Sequence, residues 1–246
     1  MEELKQNIPR SDEEELQKIR AMRAFVEEQD PSTKEVDDLA IRRFLRARDL
    51  DVKKASAMFL RYLSWRESSI PRNRGINPSD IRNQLAQDKL FVQGFDKQGH
   101  LIVVGMGAQH IPTKGTAGAE ELERYMIYSM EKLCAMMPKG IEKLTVISDM
   151  AGWSFSNFDI KSVHIGVPLM QNYYPERIHK VFVIHVPFVF MAAWKIAQPF
   201  IDDKTKSKIF FVDDKKLKST LRAVIDENQL PTIYGGKLPL VSIRDC

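Results

Sequence analysis

An α/β fold is expected for this chain, with a helical unit followed by a mixed, largely parallel sheet flanked by helices. Three observations predict it. Residues 11–70 repeat apolar side chains at helical spacing, and short β-rich runs then alternate with amphipathic helical segments. The Pro- and Gly-punctuated stretch "SSIPRNRGINP" separates the two patterns. At 246 residues the chain also buries roughly 70–75% of its unfolded surface, enough for a large core.

Each element follows in order. Leu16, Ile19, Met22, Phe25 and Val26, with Arg23 among them, form the first helical stripe. After "DPST" a second begins with Leu39, Ile41, Phe44 and Leu45, and after "LDV" a third carries Ala55, Met58, Phe59, Tyr62, Leu63 and Trp65. The boundary near residues 70–78 divides the chain into a helical unit, 1–75, and a larger domain, 76–246. In the larger part "LFVQGF" and "LIVVGM" flank "DKQGH", whose Asp and Gly suit a hairpin turn. Next come a helix over "EELERYMIYSMEKLCAMM", a strand over "KLTVISDM", a mostly helical "FDIKSVHIGVPLMQNYY" despite Pro168, and a strand over "KVFVIHV". "PFVFMAAWKIAQPF" reads as a helix of about twelve residues, with Pro187 at its first position and Pro199 past its last turn. A short "KIFFV" strand and a helix from Leu217 to Ile225 complete the pattern, and right-handed crossovers make the sheet largely parallel.

Composition narrows the function. Hydrophobic residues at 43% and charged residues at 28% exclude a disordered or fibrous chain. No segment approaches the ~20 apolar residues that span a bilayer, and "MEELKQNIPRSDEEE" lacks the character of a signal or transit peptide. A cytoplasmic protein is expected, and with Cys134 and Cys246 its only cysteines, no disulfide framework. The net charge of +4 is too mild to indicate nucleic acid, but residues 42–72 hold nine Arg/Lys against three Asp/Glu. That local excess points to phosphate groups as partners.

No catalytic, metal or cofactor constellation emerges. "GWSFS" follows a strand and has His164, His179, His185, Asp149 and Asp159 nearby in sequence, yet it lacks the second glycine of a strained nucleophile elbow. Ser154 or Ser156 fits better as the cap of a helix starting near Phe158. His179 and His185 share a strand face but stand six residues apart, too far for one metal. "KGTAG" and "GMG" do not follow the order of phosphate- or dinucleotide-binding loops. In "IRRFLRARDLDV", Arg42 and Arg46 lie on one outer line of the helix and Arg43 nearer the boundary, while Arg48 meets the helix C-terminus. Such arginines commonly solvate the helix or pair with carboxylates. From Val186 to Ile201 only Lys195 and Gln198 are strongly polar; a helix apolar nearly all round is buried or faces a ligand cavity or membrane.

Together the motifs resemble a family. "IRRFLRARDLDVKKASAMFLRYLSWRES", "DMAG", "YYPERIHKVFVIHVPFVFMAAWKIAQPFIDDKTKSKIFF" and "LPTIYGG" occur in the order seen in CRAL-TRIO lipid-binding proteins, in particular the secretory-pathway phosphatidylinositol/phosphatidylcholine transfer proteins and their plant relatives. The resemblance runs from about residue 36 to 238. It implies a domain that encloses one phospholipid in a hydrophobic cavity, with the apolar helix as a gate. It implies no enzyme activity and no cofactor beyond the bound lipid.

Site residues carry over one by one as the resemblance implies. The inositol headgroup falls to Arg48, Glu176, Thr205 and Lys208, and a second lipid's choline headgroup to Ser154 and Ser156. Phe188, Phe190, Met191, Trp194, Ile196, Phe200 and Ile201 belong to the gate and acyl-chain cavity. Partners implied are a phospholipid, a transient membrane surface to which a cytoplasmic monomer binds peripherally, and a lipid kinase downstream; nucleic acid is not among them. Asp49 stands where relatives commonly have lysine, "LIVVGM" lacks the tyrosines of choline-binding members, and His185-Val186-Pro187 replaces N-A-P. Phosphatidylinositol therefore leads, ahead of phosphatidylcholine. The alternatives are a carrier of a tocopherol, retinoid or sterol-like hydrophobe, and a lipid-sensing regulatory adaptor.

Overall fold

The computed structural model describes residues 10–71 and 75–246. Residues 1–9 of the charged start, and 72–74 inside the expected boundary, lie outside the described residues. The chain divides into two compact units, Met1–Arg72 and Asn73–Cys246.

The first unit contains α1 (Arg10–Gln29), α2 (Asp38–Arg46) and α3 (Val52–Ser69). Asp37 and Asp51 cap the second and third helices by accepting the amides of Leu39 and Lys54, satisfying donors that have no partner within the helix. Ile19, Met22 and Val26 of α1 meet Ile41, Phe44 and Leu45 of α2 and Ala55, Met58 and Phe59 of α3 in one buried core. The stripe of α1 is narrower than its sequence predicts. Leu16 and Phe25 are exposed, because only positions 19, 22 and 26 keep one line facing two neighbours. The outer line of α2 is used as well: Arg42 and Arg46 both converge on the buried Glu15 of α1.

The second unit opens with α4 (Arg82–Ala86), β1 (Leu90–Phe95) and β2 (Leu101–Met106). Then follow α5 (Gly115–Met136), β3 (Leu144–Asp149), α6 (Ile160–Tyr173) and β4 (Ile178–Ile184). It closes with α7 (Phe190–Ala197), α8 (Asp203–Lys206), β5 (Ile209–Phe211), α9 (Leu217–Val224) and β6 (Val241–Ser242). The sheet runs β5-β4-β3-β2-β1-β6. Strands β2 to β5 are mutually parallel, while β1 is antiparallel to both β2 and β6. This is the mixed, helix-flanked α/β architecture expected. On one face Ile102, Val104, Ile147, Phe182 and Ile184 pack with Leu221, Ile225, Leu230 and Tyr234. The hairpin turn forms as predicted, with the Asp96 carboxylate accepting the amides of Gln98 and His100, and Gly99 at φ +85°.

Three local expectations are corrected. The apolar helix is shorter than twelve residues, since α7 starts at Phe190 rather than at Pro187. Residues 187–190 form a turn closed by the Phe190 amide on the Pro187 carbonyl, and a 3-10 turn over Gln198–Phe200 follows the helix. Asp159 caps α6, not a serine; Ser154 instead caps the 3-10 turn Phe155–Asn157. His179 and His185 lie at opposite ends of β4, with His179 in a β-bulge and His185 past the strand at φ +49°. Strand β6 was not expected, because two residues are too few to show alternation.

Candidate functional site

Parallel pairing sets the starts of β3, β4 and β5 side by side, so residues just before each strand share one edge of the sheet. Two bonds fix this edge: the Leu144 amide donates to the Arg177 carbonyl (2.7 Å) and the Val181 amide to the Lys208 carbonyl (2.8 Å). Lys143, Glu176 and Lys208 meet there. Oε2 of Glu176 lies 3.5 Å from Lys208 Nζ and 3.6 Å from Lys143 Nζ. Glu176 has φ +58°, a conformation that costs a side-chain-bearing residue on the order of 1 kcal/mol.

Of the four residues expected at the inositol headgroup, the structure brings Glu176 and Lys208 together. Thr205 lies within α8, one turn before Lys208, but its hydroxyl donates to Asp202 Oδ2 (2.7 Å) and its amide to Asp202 Oδ1 (2.8 Å). Gln171 Nε2 donates to the same Oδ2 at 2.7 Å, tying the end of the apolar segment to α6. Burial alone would raise the Asp202 carboxyl, but the bonds from Thr205 and Gln171 outweigh it and hold it below the usual carboxylate range. Arg48 belongs to the first unit, where its Nη1 donates to the Ala47 carbonyl after α2, just before the left-handed Asp49 and Leu50. Lys143 is the residue that sequence reasoning missed. Its signal was topological: once "KLTV", "ERIHKV" and "KIFF" are read as neighbouring parallel strands, Lys143 must share an edge with Glu176 and Lys208.

The opposite edge is organised differently. Asp149, at the end of β3, accepts from Tyr234 Oη (2.7 Å), His185 Nδ1 (2.9 Å) and the Ala151 amide (2.9 Å). Burial, then the bond to Asp149, raises the Tyr234 phenol well above its ordinary value, so it stays a neutral donor. His185 is therefore a satisfied imidazole at the point where the apolar segment leaves β4. Ser154 and Ser156 follow the same edge and are exposed, with their hydroxyl oxygens 2.7 Å apart. Asn157 secures the turn by accepting the Ser154 amide and donating to the carbonyls of Ala108 and His110.

Between the two edges runs the apolar segment. Phe188 is 94% exposed, and Val189, Met191, Ile196 and Phe200 are exposed too, whereas Ala193 is buried. Phe190 stands edge-on to Trp153 (5.2 Å between centroids), Trp194 edge-on to Phe211 (5.3 Å), and Phe200 edge-on to His164 (4.7 Å). Phe190, Trp194 and Ile201 are half-buried. Phe210 and Phe211 on the edge strand β5 are exposed as well, so the uncovered apolar surface extends from α7 onto the sheet.

Two polar clusters elsewhere in this unit have structural explanations. The donor atoms of Asp96, His100 and His179 lie within 4.8 Å of one another. However, the Asp96 carboxylate is already filled by Thr145 Oγ1 (2.6 Å), His100 Nδ1 (2.9 Å) and two turn amides, and the imidazoles stack at 4.1 Å instead of converging. Lys89, pushed down to about 8 by burial, directs its ammonium to Gln84, Gln87 and His110.

A family model for the CRAL/TRIO domain matches residues 85–236. The phosphatidylinositol transfer protein CSR1 of Eremothecium gossypii is 30% identical over 210 residues, covering 81% of this chain and 47% of that protein. The SEC14 cytosolic factor of the same organism is 30% identical over 248 residues, covering 91% of this chain and 75% of that protein. The chain thus spans about half the length of the first relative and three quarters of the second. Among solved structures, that of Sfh5 superposes with a TM-score of 0.61 at 17% identity, covering 88% of this chain and 85% of that one, a likeness of fold. The matched model spans most of the second unit and its sheet edges, and this chain belongs to the CRAL/TRIO domain family.

Proposed function

We propose that this chain binds one phospholipid, with phosphatidylinositol the leading ligand, and transfers or presents it between membranes. The observation that carries this reading is the segment from Phe188 to Phe200, which exposes Phe188, Val189, Met191, Ile196 and Phe200 while turning Phe190 and Trp194 toward Trp153 and Phe211. A helix apolar on both faces can lie against lipid chains when closed and enter a bilayer when open. Each acyl CH₂ removed from water contributes about 0.8 kcal/mol, so a dry enclosure offsets extraction from a membrane. Membership of the family and the relatives' names, phosphatidylinositol transfer protein and SEC14 cytosolic factor, support the same reading. No helix among the described residues is long and apolar enough to cross a membrane, in keeping with a peripheral and transient encounter.

Glu176 and Lys208 serve as headgroup contacts in this reading, the lysine as phosphate donor and the glutamate as acceptor from inositol hydroxyls. Thr205 contributes once its hydroxyl leaves Asp202. Ser154 and Ser156 would receive a second lipid's headgroup. A carrier without catalysis is favoured because the Ser154 hydroxyl meets Ser156 and Asn157 and, among the described residues, no imidazole.

Native mass spectrometry of the protein as purified from cells tests the proposal. One phospholipid per chain is expected; a phosphorus-free isoprenoid or sterol mass would replace it with a different hydrophobe. Phe188→Asp with Phe190→Asp should reduce vesicle-to-vesicle lipid exchange to background with unchanged helical circular dichroism. Undiminished exchange would remove the gate role.

A further inference from the structure

Glu176 sits between two ammonium groups, and one carboxylate neutralises only one of them. Its Oε2 faces Lys208 at 3.5 Å and Lys143 at 3.6 Å, both beyond the 2.7–3.2 Å of a well-formed N–H···O bond. Among the described residues, neither ammonium has another acceptor within hydrogen-bonding distance, and Glu176 Oε1 accepts from none. The side chains are 16% (Glu176), 23% (Lys208) and 33% (Lys143) exposed, so the charges are partly desolvated yet reachable. Burial pushes the neighbouring His179 imidazole down, with the charges of Lys180 and Lys143 among the further causes. The edge therefore carries a surplus of positive charge, with two ammonium groups held loosely by one carboxylate oxygen and the other oxygen unfilled.

The chemical complement is a polyol bearing anionic groups on two sides. Its hydroxyls donate to Glu176 and each anionic group takes one ammonium. Phosphatidylinositol has a single phosphodiester and so engages one of the two lysines. We propose that Lys143 forms a second phosphate subsite, and that the headgroup chemistry it selects is an inositol carrying a phosphomonoester besides the phosphodiester. The assignment rests on the headgroup reading above and adds to it a residue and a ligand class. The glutamate supplies the discrimination: a bare phosphate has no hydroxyl array for it and meets a like charge there.

The test uses the full chain and its Lys143→Ala and Lys143→Arg variants. Donor vesicles are phosphatidylcholine doped with either phosphatidylinositol or phosphatidylinositol 4-phosphate, and the readout is the lipid extracted per protein. Calorimetry with inositol 1,4-bisphosphate and with inorganic phosphate separates a lipid-borne headgroup from a free anion. Losing one charge-assisted contact should lower extraction of the monophosphorylated lipid about tenfold in Lys143→Ala and that of phosphatidylinositol less than about twofold, with Lys143→Arg largely restoring it. Inositol 1,4-bisphosphate should bind the parent chain more tightly than inorganic phosphate and lose the advantage in Lys143→Ala. Equal losses for both lipids, or no uptake of the monophosphorylated one by the parent chain, overturns the subsite and leaves the carrier reading intact. Inorganic phosphate binding as tightly as the bisphosphate overturns the choice of ligand. Extraction of neither inositol lipid overturns the headgroup reading as well.

Discussion

Glu15 in the first unit and Glu176 in the second each contact two cations, and they do different work. Glu15 receives Arg42 through Nε and Nη2 at 3.0 and 2.7 Å, and Arg46 through Nε and Nη2 at 2.6 and 2.9 Å. The forked, planar guanidinium matches a carboxylate, so both oxygens are filled and little remains for a ligand. Glu176 meets lysines at 3.5 and 3.6 Å, through one oxygen, from a left-handed backbone. An ammonium on a flexible stem is a point charge that can turn to something else. The same charge arithmetic therefore yields a staple in one place and an open polar edge in the other, and donor geometry decides which.

The largest expected effect lies at the staple. Glu15→Ala leaves two arginines, both partly screened by water, without their shared acceptor, and should cost about 2–3 kcal/mol of unfolding free energy in urea denaturation. Glu176→Ala should cost less than about 1 kcal/mol. Equal costs would erase the distinction. The pH dependence sharpens it. The hydrogen bond from Arg46, outweighing burial and joined by Arg42, holds the Glu15 carboxyl near 2 in the folded state, below its ordinary 4.5. A depressed carboxyl stabilises fully above its unfolded value and loses that contribution as pH falls through its folded value. Parent stability should therefore fall between about pH 4.5 and 2, and Glu15→Gln should flatten that part of the curve.

At the open edge the expected effect is on ligand rather than fold. Lys208→Ala should lower phosphatidylinositol transfer about tenfold, the worth of one charge-assisted contact, and leave phosphatidylcholine transfer and the melting temperature nearly unchanged. A fall of the same size for both lipids would mean that Lys208 acts on the gate or the fold rather than on the headgroup.

Legibility in the sequence followed the range of the interaction. Helical stripes, alternating strands and the D-K-Q-G-H hairpin are local patterns, and they placed α1 to α3, β1 to β5 and the parallel crossovers correctly. Residues whose role depends on three-dimensional neighbours were legible only in part. The outer position of Arg42 and Arg46 could be read from helical spacing, but their shared partner Glu15 lies on another helix. Pro187 looked like a helix start by residue type, yet the turn closed by Phe190 delays the helix. Tyr234 and His185 could not be joined to Asp149 because the three come from different segments that meet only across the finished sheet. Lys143 needed the strand order before its neighbours had meaning.

The smallest effect tests why Glu176 keeps its conformation. A left-handed backbone at φ +58° disfavours any residue with a Cβ, and glycine removes that penalty. Were the residue only an ion-pair partner, glycine would sacrifice little, since partly exposed Lys–Glu pairs contribute ~0–1 kcal/mol. Glu176→Gly should therefore leave stability unchanged or raise it by up to about 0.5–1 kcal/mol in denaturant titrations, while inositol lipid transfer falls as it does in Glu176→Ala. The pairing of those two outcomes is the informative result. Strain retained against an available relief marks a side chain held for what it binds, whereas a glycine variant that loses stability would place Glu176 with Glu15 among the staples.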